Sequence, residues 1–337
     1  MTGQDYSVFE DLKVSKEEVV ACSYSNWYRK YRPYVAKSIV IKPLPDEFIE
    51  YLSSESIRLP QEKRDEVVAD SDNEYSDWSD DEEEAQANPT ENFSGLHEEI
   101  KNGIRQLGSK VCPKLNWSAP KDAKWIMANN TTKCEDVSDV YLLLNASDHI
   151  AHDIDDAFNE CGEPDCHTRI PYELVLRQWM DMNPALEFRV FIKNRIVVGV
   201  SQRDLNYYDY LDKLVPTFRQ KIDEMFAEVI KPSLDNDNVI VDLYIPRPFD
   251  KVWIVDFNPF SRKTDSLLFT WHELLQINPK EIYQYELRLI SETNLGRFSK
   301  KEHSENQVPI DVIDASVNTD TMIELAKKWQ DLQEKGK

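Results

Sequence analysis

One nine-residue stretch constrains the fold of this chain more than any other. Val252–Phe260 reads V-W-I-V-D-F-N-P-F, an alternating apolar run that ends in Asp256 and Asn258 before Pro259. Proline terminates a strand, and residues two apart on a strand share a face of the sheet. The pattern therefore predicts a strand that places one carboxylate and one amide oxygen side by side.

A second strand candidate, Val239–Ile245, precedes it across the turn-rich segment 246–251. An antiparallel hairpin that pairs Pro246 with Val252 places Asp242 opposite Asp256. Three oxygen donors on one patch of sheet suit a hard cation such as Mg²⁺ beside a nucleotide phosphate. The alternative is a hairpin whose outer face is merely polar, and the hairpin alone does not decide between them.

Composition excludes several classes of function. The net charge of −22 disfavours direct binding to nucleic acid and favours a partner with a basic surface. No apolar run approaches the roughly 18 residues that span a bilayer, and no signal-peptide pattern opens the chain. Five scattered cysteines do not form a disulfide framework. We therefore expect a cytoplasmic protein without a membrane segment. We also expect the free protein to be a monomer.

Helix and strand patterns mix without strict alternation, which predicts an α+β fold. Residues 62–84 contain twelve acidic residues against two basic ones, so we predict a disordered acidic insertion over 62–86. We assign 1–61 and 87–168 to an N-terminal lobe and 169–290 to a C-terminal lobe that carries the metal site. Residues 291–337 form a tail, with a helix predicted from Thr321 onward.

No glycine-rich phosphate loop is present, since the chain has only eight glycines and matches neither the P-loop nor the dinucleotide fingerprint. A bound phosphate would have to be met by side-chain cations and a metal. The candidate cations are Lys114, Arg189, Lys193 and Arg203. The position of Arg203 depends on the turn at Asn194–Arg195. A two-residue turn places Arg203 on the opposite face from Arg189, whereas a three-residue turn with a bulge places both on one face.

Six motifs together resemble the eukaryotic cell division cycle protein 123 family. They are Pro113–Ala123, Tyr172–Arg177, Glu187–Phe191, Ser201–Asp204, Asp256–Phe260 and Thr264–Trp271. The resemblance implies an ATP-grasp fold, in which two α+β lobes clamp ATP and Mg²⁺ in the cleft between them. It also implies an assembly chaperone for eukaryotic translation initiation factor 2, which engages the gamma subunit so that the alpha subunit can join.

The resemblance also assigns roles to individual residues. Lys114 would meet the α- and β-phosphates, and Arg189 and Arg203 would face the phosphates. The nucleotide would be lined by Trp117, Ser118 and Ala119, while the backbone of an interlobe segment, Glu173, Leu174 and Val175, would read adenine. Mg²⁺ would be held by the three hairpin side chains, Asp242, Asp256 and Asn258.

Two functions remain open at this stage. One is an ATP- and Mg²⁺-binding assembly chaperone, and the other is an ATP-grasp ligase that activates a carboxylate as an acyl phosphate. Phosphate cations and metal ligands serve both equally. A ligase also needs a pocket for its acceptor, and the sequence nominates no residues for one. The resemblance favours the chaperone, with a helix at Met322–Trp329 that either contacts the partner or packs on its own lobe.

Overall fold

A computed structural model describes residues 14–54, 59–60, 89–159, 161 and 170–291. The acidic segment 62–86 and the tail helix lie outside the described residues. The described chain mixes helices with two largely antiparallel sheets, so the α+β prediction is confirmed. None of the described helices is long and apolar enough to cross a bilayer.

The smaller sheet has three antiparallel strands. They are β1 (Ser38–Ile41), β2 (Val111–Lys114) and β3 (Leu174–Gln178), in the order β1-β3-β2. We assigned residues 169–178 to the C-terminal lobe, but β3 is the central strand of a sheet whose other strands come from the N-terminal segments. The pairing of β3 with β1 and β2 is not revealed by a strand pattern in sequence, and the domain boundaries stay a prediction.

The larger sheet has five strands in the order β7-β6-β4-β5-β8. Their bounds are β4 (Glu187–Lys193), β5 (Ile196–Gln202), β6 (Val239–Tyr244), β7 (Trp253–Pro259) and β8 (Glu286–Arg288). All neighbours are antiparallel except β5 and β8. Burial on both faces explains why β4, β5 and β6 are rich in Val, Ile and Phe.

Nine α-helical segments occur in the described part of the chain. They are α1 (Lys16–Ala21), α2 (Tyr24–Tyr31), α3 (Asp46–Leu52), α4 (Ser94–Gln106), α5 (Val137–Asn145), α6 (Asp148–Asp155), α7 (Val215–Met225), α8 (Lys231–Ser233) and α9 (Trp271–Gln276). The periodicity at 96–107 correctly predicts α4, and Gly108 follows it with a φ of 89°. The mostly apolar run at 137–144 suits a helix or a strand by sequence, and the structure shows a helix capped by the carboxylate of Asp136.

Separate clusters of buried hydrophobic side chains pack on the two sheets, and α2 contacts both sheets. Trp27 and Tyr31 of α2 pack on Phe257 of β7, with ring centroids 4.9 and 5.1 Å apart. Tyr24 of the same helix reaches the small sheet, where its hydroxyl lies 2.6 Å from the hydroxyl of Ser38. Stacked and tilted aromatic pairs of this kind add about 0.5–1.5 kcal/mol each beyond buried area. Helix α2 therefore fixes the small sheet against β7, beside Asp256.

Candidate functional site: a charged cleft between the sheets

The predicted hairpin forms, with β6 paired to β7 and Asp242 directly opposite Asp256. The register shifts by one residue between Asp242 and Leu243, so that Tyr244 pairs with Trp253. Asn258 lies two residues beyond Asp256 on β7, and its Nδ2 is 3.5 Å from Oδ2 of Asp242. The three oxygen-bearing side chains therefore meet on one patch of the sheet, as the alternation of the sequence predicts.

Arg189 of β4 binds Asp242 through a bidentate ion pair. Its Nε and Nη2 donate to the two Asp242 carboxylate oxygens, each at 2.8 Å, while Nη1 donates to the carbonyl of Asp265 at 2.7 Å. Both charged side chains are almost fully buried. Guanidinium and carboxylate planes match in this geometry, which makes the pair both strong and directional.

Arg203 lies on the same face of the sheet as Arg189. The turn and bulge that place it there differ from both predicted alternatives. The turn is two residues long, with Asn194 and Arg195 both at positive φ, and the register shifts between Phe191 and Ile192. The shift lets the backbone N–H of Arg203 pair with the carbonyl of Glu187. The Arg203 Nε then lies 3.4 Å from Oδ2 of Asp242. A two-residue turn with a bulge further along the strands thus places both arginines on one face.

These contacts determine the ionisation of Asp242. Burial alone would raise its pKa, but Arg189, with a smaller contribution from Arg203, outweighs that effect and holds the pKa well below its ordinary range. Asp242 is therefore a carboxylate throughout the physiological pH range. Arg189 and Arg203 already neutralise part of its negative charge.

Lys114, at the end of β2, is fully buried and reaches across to the other sheet. Its Nζ lies 2.6 Å from each carboxylate oxygen of Asp256, whose side chain is 17% exposed. Oδ1 of Asp256 also accepts the backbone N–H of Phe257 at 3.0 Å. The ion pair joins residues 142 positions apart in the chain and connects the two sheets at the base of the cleft.

The loop after β2 is positioned by Asp153, a residue that our sequence reasoning missed. The Asp153 carboxylate accepts the backbone N–H of Trp117 at 3.2 Å and that of Ser118 at 2.7 Å, as well as the Ser118 hydroxyl at 2.7 Å. Burial raises the pKa of Asp153 to about 6, although the bonds from Ser118 and Trp117 oppose the shift. A single buried acid in the short helix α6 carries no sequence signal for this role.

A cleft of about 1080 Å³ lies between the sheets, at the upper end of the range for small-molecule sites. Eight of the twelve predicted site residues line it: Trp117, Ser118, Ala119, Arg189, Arg203, Asp242, Asp256 and Asn258. Lys114 lies beneath this lining and contacts it through Asp256. The structure therefore brings the predicted phosphate and metal residues together around one space.

The predicted adenine-reading residues do not line the cleft. Glu173 is buried and accepts hydrogen bonds from the Ser23 hydroxyl and the backbone N–H of Ser25. Leu174 and Val175 belong to the central strand β3, where Val175 pairs with Val40 on one side and Lys114 on the other. The backbone of Leu174 and Val175 is committed to the sheet, and the backbone N–H of Glu173 donates to Oδ1 of Asn116. The structure therefore does not bring these three residues to the cleft, and their role toward adenine stays a prediction.

The chain segment that does pass from the small sheet to the large one is 178–184, between β3 and β4. Gln178, Trp179, Met180, Asp181, Met182 and Pro184 line the cleft. Met180 and Met182 are partly buried and pack on the core of the large sheet. Flexible, polarizable methionine side chains adapt to flat apolar ligands. The sequence signal for this role was the end of the strand pattern at 171–179, because a connection between sheets follows a strand. The interlobe residues were instead assigned within that strand.

Arg177 and Glu187 were also missed. Both line the cleft, and Arg177 donates from Nη1 to the carbonyl of Val255 at 3.0 Å. Among the residues that the structure describes, Arg177 Nε and Glu187 Oε2 are buried atoms with no hydrogen-bond partner. Glu187 Oε2 nevertheless lies 3.9 Å from Nη1 of Arg203, within the distance of an ion pair.

The residues fit a divalent cation that is held jointly with a ligand. In the described part of the chain, no group of three or more His, Cys, Asp or Glu side chains is placed to hold a metal by itself. Mg²⁺ commonly binds one or two carboxylates together with substrate phosphates. Asp242 and Asp256, with the amide of Asn258, supply such an incomplete set.

Comparison with known proteins gives consistent results. A family model described as D123 matches residues 27–316. The chain is 51% identical to cell division cycle protein 123 of Candida glabrata, across 98% of this chain and 96% of that protein. It is 47% identical to a protein of Kluyveromyces lactis named translation initiation factor eIF2 assembly protein, across 98% and 96% of the two chains.

The fold matches a solved structure as well. The structure of Cdc123 from Schizosaccharomyces pombe is similar with a TM-score of 0.70 and 33% sequence identity. The match covers 83% of this chain and all of that one. The resemblance drawn from the six motifs is thus confirmed over nearly the whole length. This chain belongs to the D123 family, the family of cell division cycle protein 123.

Proposed function

We propose that this chain binds ATP with Mg²⁺ in the cleft between its sheets and assists the assembly of eukaryotic translation initiation factor 2. The observation that carries the nucleotide part is the convergence of Lys114, Arg189 and Arg203 on Asp242 and Asp256 at one wall of the cleft. Buried cations and carboxylates at a cleft suit a ligand that brings phosphates and a divalent metal together.

The cleft divides into a polar part and an apolar part, as a nucleotide requires. Arg203 and the Asp242–Asp256 pair form the polar part, and Trp117 with the 179–182 segment contributes apolar surface. We propose that the base lies against 179–182, which line the cleft, instead of against Glu173, Leu174 and Val175, which do not. We propose that Trp117, Ser118 and Ala119 line the nucleotide. Mg²⁺ would be held by Asp242, Asp256 and Asn258, where it would neutralise phosphate charge. The ATP-grasp assignment is part of this proposal.

Names of relatives support the second half of the proposal, since one at 47% identity is named an eIF2 assembly protein. We propose the gamma subunit as the contact, in line with the expectation from the motifs. A chain with a net charge of −22 suits a basic surface on such a partner. The proposed site of action is the cytoplasm.

Nucleotide binding is tested by isothermal titration with ATP in the presence and absence of Mg²⁺. We expect Asp256→Ala to abolish Mg²⁺-dependent binding, because it removes a carboxylate that is partly exposed at the cleft and paired to the flexible side chain of Lys114. Asp250→Ala is the matched control, since Asp250 is exposed in the turn of the same hairpin. Unchanged affinity in a folded Asp256→Ala protein would refute the metal assignment.

Assembly is tested by incubating the protein with ATP, Mg²⁺ and purified subunits of the initiation factor. We expect a non-covalent complex with the gamma subunit and faster joining of the alpha subunit. A covalent product formed at the expense of ATP would instead identify a ligase. Truncation after residue 290 separates the contribution of the tail: weaker binding to the gamma subunit with unchanged ATP affinity would assign the contact to residues 291–337.

A further inference from the structure

The Lys114 ammonium occupies the position at Asp256 that a divalent cation would need. It lies equally close to both carboxylate oxygens, at 2.6 Å from each. The remaining contact of that carboxylate is a bond to Oδ1 from the adjacent backbone N–H of Phe257. A positive charge is therefore already bound at the group that the proposed metal would use.

The two ion pairs of the cleft differ in how firmly they are held. Arg189 is fixed by three hydrogen bonds, two to Asp242 and one to the Asp265 carbonyl, in a rigid planar fork. Lys114 extends a flexible four-carbon stem, and the hydrogen bonds of its Nζ are both to Asp256. If one cation leaves its carboxylate when a ligand binds, it is Lys114.

Electrostatics determines when that can happen. Lys114 is fully buried, so an ammonium displaced by a metal ion alone would remain in the interior without an anionic partner, with the Tyr24 ring centroid 5.6 Å from its present position. A bound phosphate changes this because it offers the ammonium a new anionic partner. Displacement of Lys114 from Asp256 thus requires an anion as well as a metal.

We propose that the Lys114 ammonium occupies the divalent-cation position at Asp256, so that the metal binds only together with a phosphate-bearing ligand. This inference rests on the proposed function, since it concerns the same cleft. It assigns to Lys114 a second role beyond contact with phosphate, namely exclusion of free metal ions from the site. Metal and nucleotide binding are then strongly coupled, and neither ligand has a complete site alone.

Removal of the ammonium should therefore create a metal site that the wild-type protein lacks. Lys114→Met retains an unbranched apolar side chain of similar length and removes the charge. We expect Lys114→Met to bind Mn²⁺ without nucleotide at least about tenfold more tightly than wild type, a coupling of ordinary size. Binding is measured by electron paramagnetic resonance of free Mn²⁺, which needs no catalytic activity.

Three further variants make the experiment decisive. Lys110→Met, at an exposed lysine just before β2, should leave Mn²⁺ binding as in wild type. Lys114→Met/Asp256→Asn should lose the gained binding, because the carboxylate is gone. Lys114→Gln is the second neutral variant, used if thermal unfolding shows that the methionine variant is not folded.

The inference is overturned if wild type binds Mn²⁺ alone as tightly as the Lys114 variants, or if no folded Lys114 variant gains binding. It is equally overturned if the gain survives in the double variant. The proposed function is tested separately by titration of wild type with Mg²⁺ and ATP together. Absence of that binding would refute the proposed nucleotide site, whereas the Mn²⁺ result alone decides the role of Lys114.

Discussion

Replacement of Arg189 by Met would leave the buried Asp242 carboxylate without its bidentate partner. Arg189 donates three hydrogen bonds, two of them to Asp242 at 2.8 Å, and both side chains are nearly inaccessible to water. Such a change should destabilise the fold, because a charge that remains buried without compensation costs much more than an exposed one. The expected effect is therefore on stability before it is on ligand binding.

The magnitude follows from the contacts that remain. Breaking a buried ion pair by removing one partner typically costs about 3–5 kcal/mol. Arg203 Nε stays 3.4 Å from Oδ2 of Asp242 and still neutralises part of its charge. We therefore expect Arg189→Met to lower the free energy of unfolding by about 3 kcal/mol. Arg189→Met/Asp242→Asn should recover at least half of that loss, about 1.5 kcal/mol, because an amide is neutral when buried.

Urea unfolding followed by tryptophan fluorescence measures the effect near neutral pH, with midpoints compared at a common slope. Trp27, which packs on Phe257 beside the site, reports on the relevant interface. The reasoning is refuted if Arg189→Met unfolds within about 1 kcal/mol of wild type, or if the double variant is no more stable than the single one. Because Asp242 is bound in this way, Asp242→Ala is a test of folding, and Asp256 is the position at which metal binding can be tested.

Three further outcomes are expected. Because burial raises the pKa of Asp153 from 3.8 to about 6, the folded protein binds an additional proton in that window. The contribution of this residue to the free energy of unfolding should therefore fall as pH rises through it, by up to about 1.4 kcal/mol per pH unit, and urea unfolding of Asp153→Asn should lack this slope. Gly199→Ala would place a Cβ 2.8 Å from the ring of buried Phe269, so we expect a loss of about 1–3 kcal/mol in thermal unfolding that Phe269→Leu partly restores. Deletion of residues 65–86, which contain few apolar groups, should leave the melting temperature almost unchanged; a large fall would show that the segment docks on the fold.

Local patterns in the sequence were sufficient for the hairpin that carries the acidic site residues. Strand alternation places Asp256 and Asn258 on one face, and Pro259 marks the strand end. The predicted opposition of Asp242 and Asp256 is confirmed, although a register shift near the turn pairs Tyr244 with Trp253, a register that does not pair Pro246 with Val252. Helix α4 was predictable for the same reason, because its apolar period and Gly108 lie within a single segment. Such signals are local, since they depend on residues that are neighbours in the chain.

The side chains that complete the site were decided by tertiary structure. The position of Arg203 depends on a bulge within the β4–β5 pair. The residues of the turn do not predict a bulge that lies further along the strands. Strand β3 pairs with partners from both sides of the acidic segment, and this removed Glu173, Leu174 and Val175 from the cleft and brought 179–182 into it.

Lys114 illustrates the physical reason. Its chain position suggested a free cation at the end of a strand, whereas the fold buries it and pairs it with Asp256, 142 residues away. An ion pair of this kind is set by the packing of α2 between the two sheets, and its strength depends on the exclusion of water there. Burial and long-range proximity are properties of the assembled core, so no residue pattern along the chain specifies them.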